Sequence, residues 1–240
     1  MRLIIVLVTL HAGAATVLSG PHGVAHLAGQ QFIVDDAGTV GSGACQVEGW
    51  LGARNSWLLP ACQFPLGPEV TLGIGASRDD SKGREAAWVL QAKLPVRDPD
   101  QHSWGWGVVA GLGGDPLAQV TGRRLRSAFV YLPLSVPTPL ALIHFNLGWY
   151  SELGDKNAAE SRDHHLAWGI RGDRALNSRL VLIGEVAGEG AEWPEWQVGI
   201  RLILFPDLLL ADLSVGASLE PDRSGSGLAL GAAWTPPPLR

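Results

Sequence analysis

Glu69-Val70-Thr71-Leu72-Gly73-Ile74-Gly75-Ala76-Ser77 is the stretch on which the reading of this chain turns. Val70, Leu72, Ile74 and Ala76 are apolar, and the residues between them are polar or carry no side chain. Successive side chains of a strand point to opposite faces, so the stretch reads as a strand with one apolar face and one small or polar face. The pattern recurs outward in both directions. Trp88, Leu90, Ala92 and Leu94 alternate with Val89, Gln91 and Lys93; Trp104, Trp106, Val108, Ala110 and Leu112 alternate with Gly105, Gly107, Val109, Gly111 and Gly113. Ala141–Trp149, Trp196–Leu204 and Leu209–Ala217 keep the same period. About twelve strands are predicted, over 44–53, 56–64, 69–78, 86–95, 104–113, 127–134, 140–150, 164–171, 178–187, 195–204, 208–218 and 226–234. Their lengths lie near the ~9–11 residues that a tilted strand needs to cross a bilayer.

The connections sort by end. From the fifth onward, every odd-numbered connection is longer than its even-numbered neighbours, and the odd ones carry most of the loop charge. Transmembrane barrels of the outer membrane have long loops outside and short turns in the periplasm. Seven of the Trp residues (Trp57, Trp88, Trp104, Trp149, Trp193, Trp196 and Trp234) fall at or near strand ends. There a ring can meet lipid while its N–H meets water. A soluble sandwich or lipocalin-like barrel alternates too, and period alone does not say which face is inside. The second face favours the membrane reading. It is Gly, Ala and Ser with scattered charges, which suits a crowded, partly wet lumen better than a soluble exterior.

Composition agrees. Of 240 residues, 31 are Gly and 10 Trp, 17% are charged, and the formal net charge is −5. The apolar content excludes a disordered chain, two Cys exclude a disulfide scaffold, and the charge lacks the basic footprint of a nucleic-acid binder. Arg2, then Leu3–Leu10, then Ala12-Gly13-Ala14-Ala15 read as a secretory signal peptide. The expected organisation is a signal peptide over 1–25 with its end open, an N-terminal periplasmic arm or plug over 26–43, a closed antiparallel transmembrane β-barrel over 44–234, and a tail over 235–240. Ser127–Ser151 is uncharged, but Pro133, Pro137 and Pro139 and its two-residue period argue against a spanning helix.

The predicted lumen carries Glu48, Glu69, Gln91, Lys93, His144, Arg171, Glu185, Arg201 and Asp212. Charges in a narrow barrel must pair or stay wet. They form either a selective constriction or salt bridges that hold the barrel's shape. A hairpin turning near Ala53-Arg54 sets Cys45 opposite Cys62 on one face, and an oxidising periplasm favours a bridge between them over free thiols. No remaining ligands are apparent for a metal, and no cofactor is expected. His144 and Asn146 share a strand face and are an orienting pair of the kind a lipid-hydrolysing barrel uses. No serine can be set beside them from sequence and there is no Gly-x-Ser-x-Gly turn, so an enzyme is not expected. The polar, Gly-rich stretch from Gln30 to Ala44 either tucks into the lumen, with Asp35 and Asp36 meeting Lys93 or Arg201, or trails as a mobile tail.

Phe32-Ile33-Val34-Asp35-Asp36-Ala37-Gly38-Thr39-Val40-Gly41 resembles the opening of the outer-membrane proteins grouped as a meta-pathway phenol-degradation transporter family. They begin with an aspartate pair (here Asp35 and Asp36), a Gly-Thr step (Gly38 and Thr39) and a first strand, here Cys45–Trp50. Val34 stands where Thr is expected. The resemblance implies an outer-membrane channel or transporter-like barrel without naming a solute. The expected function is passage of small, even apolar, solutes across the outer membrane of a Gram-negative cell. The expected partners are outer-membrane lipid, the barrel assembly machinery and that solute. A structural or adhesive barrel and a lipid-modifying enzyme are the alternatives.

Overall fold

The computed structural model describes residues 32–53, 55–65, 67–79, 83–116, 125–152, 163–220 and 226–237. The predicted signal peptide and much of the long odd-numbered connections lie outside the described residues. Twelve strands follow in order: β1 Cys45–Gly52, β2 Asn55–Gln63, β3 Glu69–Asp79, β4 Gly83–Arg97, β5 Gly105–Gly114, β6 Ser127–Pro137, β7 Leu142–Glu152, β8 Asp163–Ala175, β9 Leu180–Glu189, β10 Glu195–Phe205, β11 Leu209–Ser218 and β12 Ser226–Trp234. Each pairs antiparallel with the next, and β12 pairs with β1 to close the barrel. Closure removes every sheet edge, which is what a strand protein needs in lipid.

The predicted strands match in number and place. They differ at their ends: β4, β6 and β8 run past the predicted 95, 134 and 171 to Arg97, Pro137 and Ala175. Besides Pro137 at the end of β6, three prolines sit inside strands despite lacking a ladder donor. The barrel accommodates each by local interruption. The β2–β3 ladder skips from Leu58↔Ile74 to Ala61↔Thr71 around Pro60. The β5–β6 ladder skips from Trp106↔Leu134 to Val109↔Tyr131 around Pro133. The β4–β5 register shifts between Pro95 and Arg97.

Alternation sorts the faces as the opening stretch requires. Glu69, Thr71 and Gly73 point inward and are buried, while Leu72 and Ile74 point outward at 53% and 57% exposure. Leu90, Leu132, Leu147, Ile170, Leu202, Leu213 and Leu230 continue this exposed apolar belt around the barrel. A soluble surface does not carry a belt of this size. Trp88, Trp149, Trp168 and Trp196 lie on the outer face toward one end of the barrel; Trp104, Trp106, Phe145, Phe205 and Trp234 lie toward the other.

One tryptophan departs from the strand-end reading. Trp57 points inward, its ring 6.4 Å from that of Trp50, in a buried cluster with Leu59, Val89, Phe129, Tyr131 and Tyr150. The lumen is therefore not uniformly polar. Glycine makes this packing possible. A Cβ on Gly73 would stand 2.5 Å from Val89 Cγ1 and 2.6 Å from Leu59 Cδ2. Cβ atoms on Gly75, Gly111 and Gly148 would collide with Trp57, Phe129 and Tyr131 respectively. Inward glycines are thus sockets for inward aromatics on the neighbouring strand.

Candidate functional site

β1 begins and β12 ends at the same end of the barrel, and the lumen's charged groups gather in the half nearer that end. Register places them in rows. Ser135, His144, Arg171, Glu185 and Gln197 face one another in sequence across β6 to β10. Glu69, Lys93, Val109 and Tyr131 do so across β3 to β6. All nine predicted lumen residues, Glu48, Glu69, Gln91, Lys93, His144, Arg171, Glu185, Arg201 and Asp212, are buried on the inner face.

Residues 32–40 lie inside this half as an extended segment. Phe32, Val34, Asp35 and Ala37 are each 2% exposed or less. Barrel side chains meet its backbone, as a neighbouring strand otherwise would. Glu185 accepts from Ile33 N at 2.7 Å and Val34 N at 3.0 Å. Arg171 Nη1 donates to Val34 O at 2.7 Å. With its amide nitrogen toward Asp35 O, Asn146 donates at 2.9 Å and accepts from Asp35 N at 2.8 Å. Ser135 Oγ accepts from Ala37 N at 2.8 Å, and Glu69 Oε2 from Val40 N at 2.8 Å.

The two aspartates take different partners. Lys93 Nζ lies 3.0 Å from Asp35 Oδ1 and 3.6 Å from Asp36 Oδ1. Tyr131 OH donates to Asp35 Oδ2 at 3.0 Å. Asp36 Oδ1 also accepts from Gly38 N at 2.8 Å, turning the chain, and Thr39 Oγ1 donates to Gln63 Oε1 at 2.7 Å. Two further glycines shape the wall for this segment. A Cβ on Gly169 would stand 2.6 Å from Val34 Cγ2, and one on Gly199 2.9 Å from Phe32 Cζ. Gly41 and Gly43 have φ of 93° and 75°, a left-handed region that glycine enters without strain, and they reverse the chain into β1.

Arg201 does not meet the aspartate pair. It forms a two-point pair with Asp212 directly across β10 and β11, at 2.8 and 3.0 Å. Arg171 is held likewise by Asp173, at 2.7 and 2.8 Å. Glu48 accepts from the Gln46 amide through Oε1, while its Oε2 is buried without a hydrogen-bond partner among the described residues. Cys45 and Cys62 stand opposite in the β1–β2 register and are joined by a disulfide at the end of the barrel where the segment turns into β1.

Four residues of this arrangement were not among the sequence-derived lumen candidates: Tyr131, Ser135, Asn146 and Asp173. Asn146 holds Asp35, not His144. Alternation within the predicted strands puts Tyr131 and Asn146 on the inner face; Ser135 and Asp173 join them only because β6 and β8 run past their predicted ends. Ser135 Oγ lies 2.8 Å from His144 Nδ1, and His144 Nε2 lies 3.7 Å from Asp173 Oδ2. The order is that of a Ser-His-acid relay. In this state the Ser135 hydroxyl is sealed beneath Ala37, and Arg171 engages both Asp173 oxygens. At the mouth where β1 begins and β12 ends, a cavity of about 260 Å³ is lined by Asp36, His144, Arg171, Asp173 and Arg201. No group of His, Cys, Asp and Glu able to hold a metal occurs among the described residues.

A closed barrel with an apolar outer belt, aromatic girdles and a charged lumen defines a transmembrane β-barrel of the outer-membrane class. The chain belongs to the family described as Uncharacterised conserved protein UCP029691, whose model matches residues 16–232. The KdgM porin in complex with disordered oligogalacturonate has the same fold, with TM-score 0.54, 9% identity, and coverage of 80% of this chain and 98% of that one. A second KdgM porin structure gives 0.53 and 8% over the same shares. The Acinetobacter baumannii outer membrane protein Omp33 gives 0.47 and 9%, covering 80% and 97%. No curated protein matches the chain.

Proposed function

We propose that this protein is an outer-membrane channel for small solutes whose residues 32–40 form a plug entering from the periplasmic side. The observation that carries the reading is the way the segment is seated. Barrel side chains bond its backbone at Ile33, Val34, Asp35, Ala37 and Val40, and the wall glycine at 169 leaves room for Val34. A structural or adhesive barrel has no need of a fitted, polar-lined insert.

The porin-like fold and the resemblance of Phe32–Gly41 to the meta-pathway transporter group support the same direction. The apolar cluster at the far end of the lumen suits solutes with an apolar part. The belt implies outer-membrane lipid as solvent. A hydrolytic role is disfavoured by the sealed Ser135 and the occupied Asp173.

Planar-bilayer recording tests the reading. The full chain should show rare openings, and deletion of residues 32–40 should raise mean conductance by about tenfold or more, since the seated segment fills the charged half of a barrel intermediate in width between filled and open ones. Equal conductance from the two proteins would refute the plug. No conductance from either would refute the channel.

A further inference from the structure

The lumen holds more acid than base. Among the described residues, seven buried carboxyl side chains and the largely buried Asp173 share the interior with only three buried permanent cations, Lys93, Arg171 and Arg201. Two of these cations are already neutralised, Arg171 by Asp173 and Arg201 by Asp212. Lys93 is engaged by the plug's Asp35 and Asp36. Among the described residues, Glu48 has no cation within ion-pair distance, and one of its oxygens lacks a hydrogen-bond partner.

The plug itself hides further acid. Glu185 and Glu69 are satisfied by plug N–H groups of Ile33, Val34 and Val40. When the segment leaves, Asp35 and Asp36 go with it, but both glutamates lose their donors. Lys93 then has Glu69, its direct cross-strand partner, beside it. Glu185 keeps Arg171 across the β8–β9 ladder, but that guanidinium is already held by Asp173, as Arg201 is by Asp212, so the charges of Glu48 and Glu185 are in excess. Walls of low dielectric focus such a field and concentrate ions of the opposite sign. Rings of acidic side chains select cations in the same way.

We propose that the open lumen is cation-selective, with Glu48 and Glu185 as the residues that set the preference. The solute class is then a small cation or an ammonium-bearing molecule, not an anionic one. This rests on the channel reading, and its test separates the two. The reversal potential of the full-length protein in a KCl gradient does not depend on how often the pore opens. It should lie on the potassium side, with a permeability ratio above ~5 at low salt, where charges are least screened. Glu48→Gln, which keeps the shape of the side chain, should lower the ratio by about two- to threefold. Should that variant fail to give a heat-modifiable barrel, Glu185→Gln serves in its place with the same expected fall. A reversal potential at zero or on the chloride side overturns the selectivity and leaves the channel reading standing. A ratio unchanged in the variants removes Glu48 and Glu185 from the role.

Discussion

Gly169 and Gly75 separate two uses of glycine in this barrel. The Gly75 position lies against the Trp57 ring and Ser56 O, so Gly75→Ala strikes backbone and aromatic core together. It should cost about 1–3 kcal/mol of barrel stability, measured by urea unfolding in micelles. The nearest neighbour of a Cβ at Gly169 is Val34 of the inserted segment. Gly169→Ala should leave unfolding nearly unchanged and raise the frequency of channel opening. Equal effects on both readouts would remove the distinction. Lys93→Met isolates the other contact: it leaves Asp35 buried without its cation, weakening the seating of the segment by about 3–5 kcal/mol. Faster proteolysis within residues 32–40 should report this, and unchanged cleavage would show that Lys93 is not the latch. At this scale the inward face of Glu48, Lys93 or Arg201 was legible from a period of two. Their partners were not. Arg201 meets Asp212 and not Asp36 because β10 and β11 are in register there, and register follows from closure of the whole sheet.

Among elements, β1 and the segment before it carry the most. Symmetry about the β1–β2 turn already placed Cys45 opposite Cys62 in the sequence, since a tight hairpin fixes its own register. The intact protein should weigh about 2 Da less than after reduction, because forming the bridge removes two hydrogens. With the two cysteines 17 residues apart, Cys45→Ser should lower stability by about 3 kcal/mol. An unchanged mass would show free thiols. The strands containing Pro60 and Pro133 were also legible, because outward apolar residues keep their spacing through each proline. The ladder gaps were not, since they depend on which neighbour each missing N–H would have faced. The inserted segment is the least legible element. It has no periodicity, and its structure comes from barrel side chains that take the place of a neighbouring strand.

For the molecule as a whole, the opening alternation has its consequence in the belt. A ten-residue strand tilted by about 40° rises about 26 Å, close to the height of an outer-membrane hydrophobic band. Leu72, Ile74, Leu228 and Leu230 stand exposed within that height, and only lipid makes such a surface favourable. The inner face, with its socketed aromatics at one end and its charged, occupied half at the other, then belongs to a closed conduit and not to a soluble core. The most direct test is fractionation of expressing cells followed by gel mobility with and without heating. The protein should be recovered in the outer-membrane fraction and give a faster-migrating unheated band that shifts on boiling. A soluble periplasmic protein with one mobility under both conditions would contradict a membrane barrel.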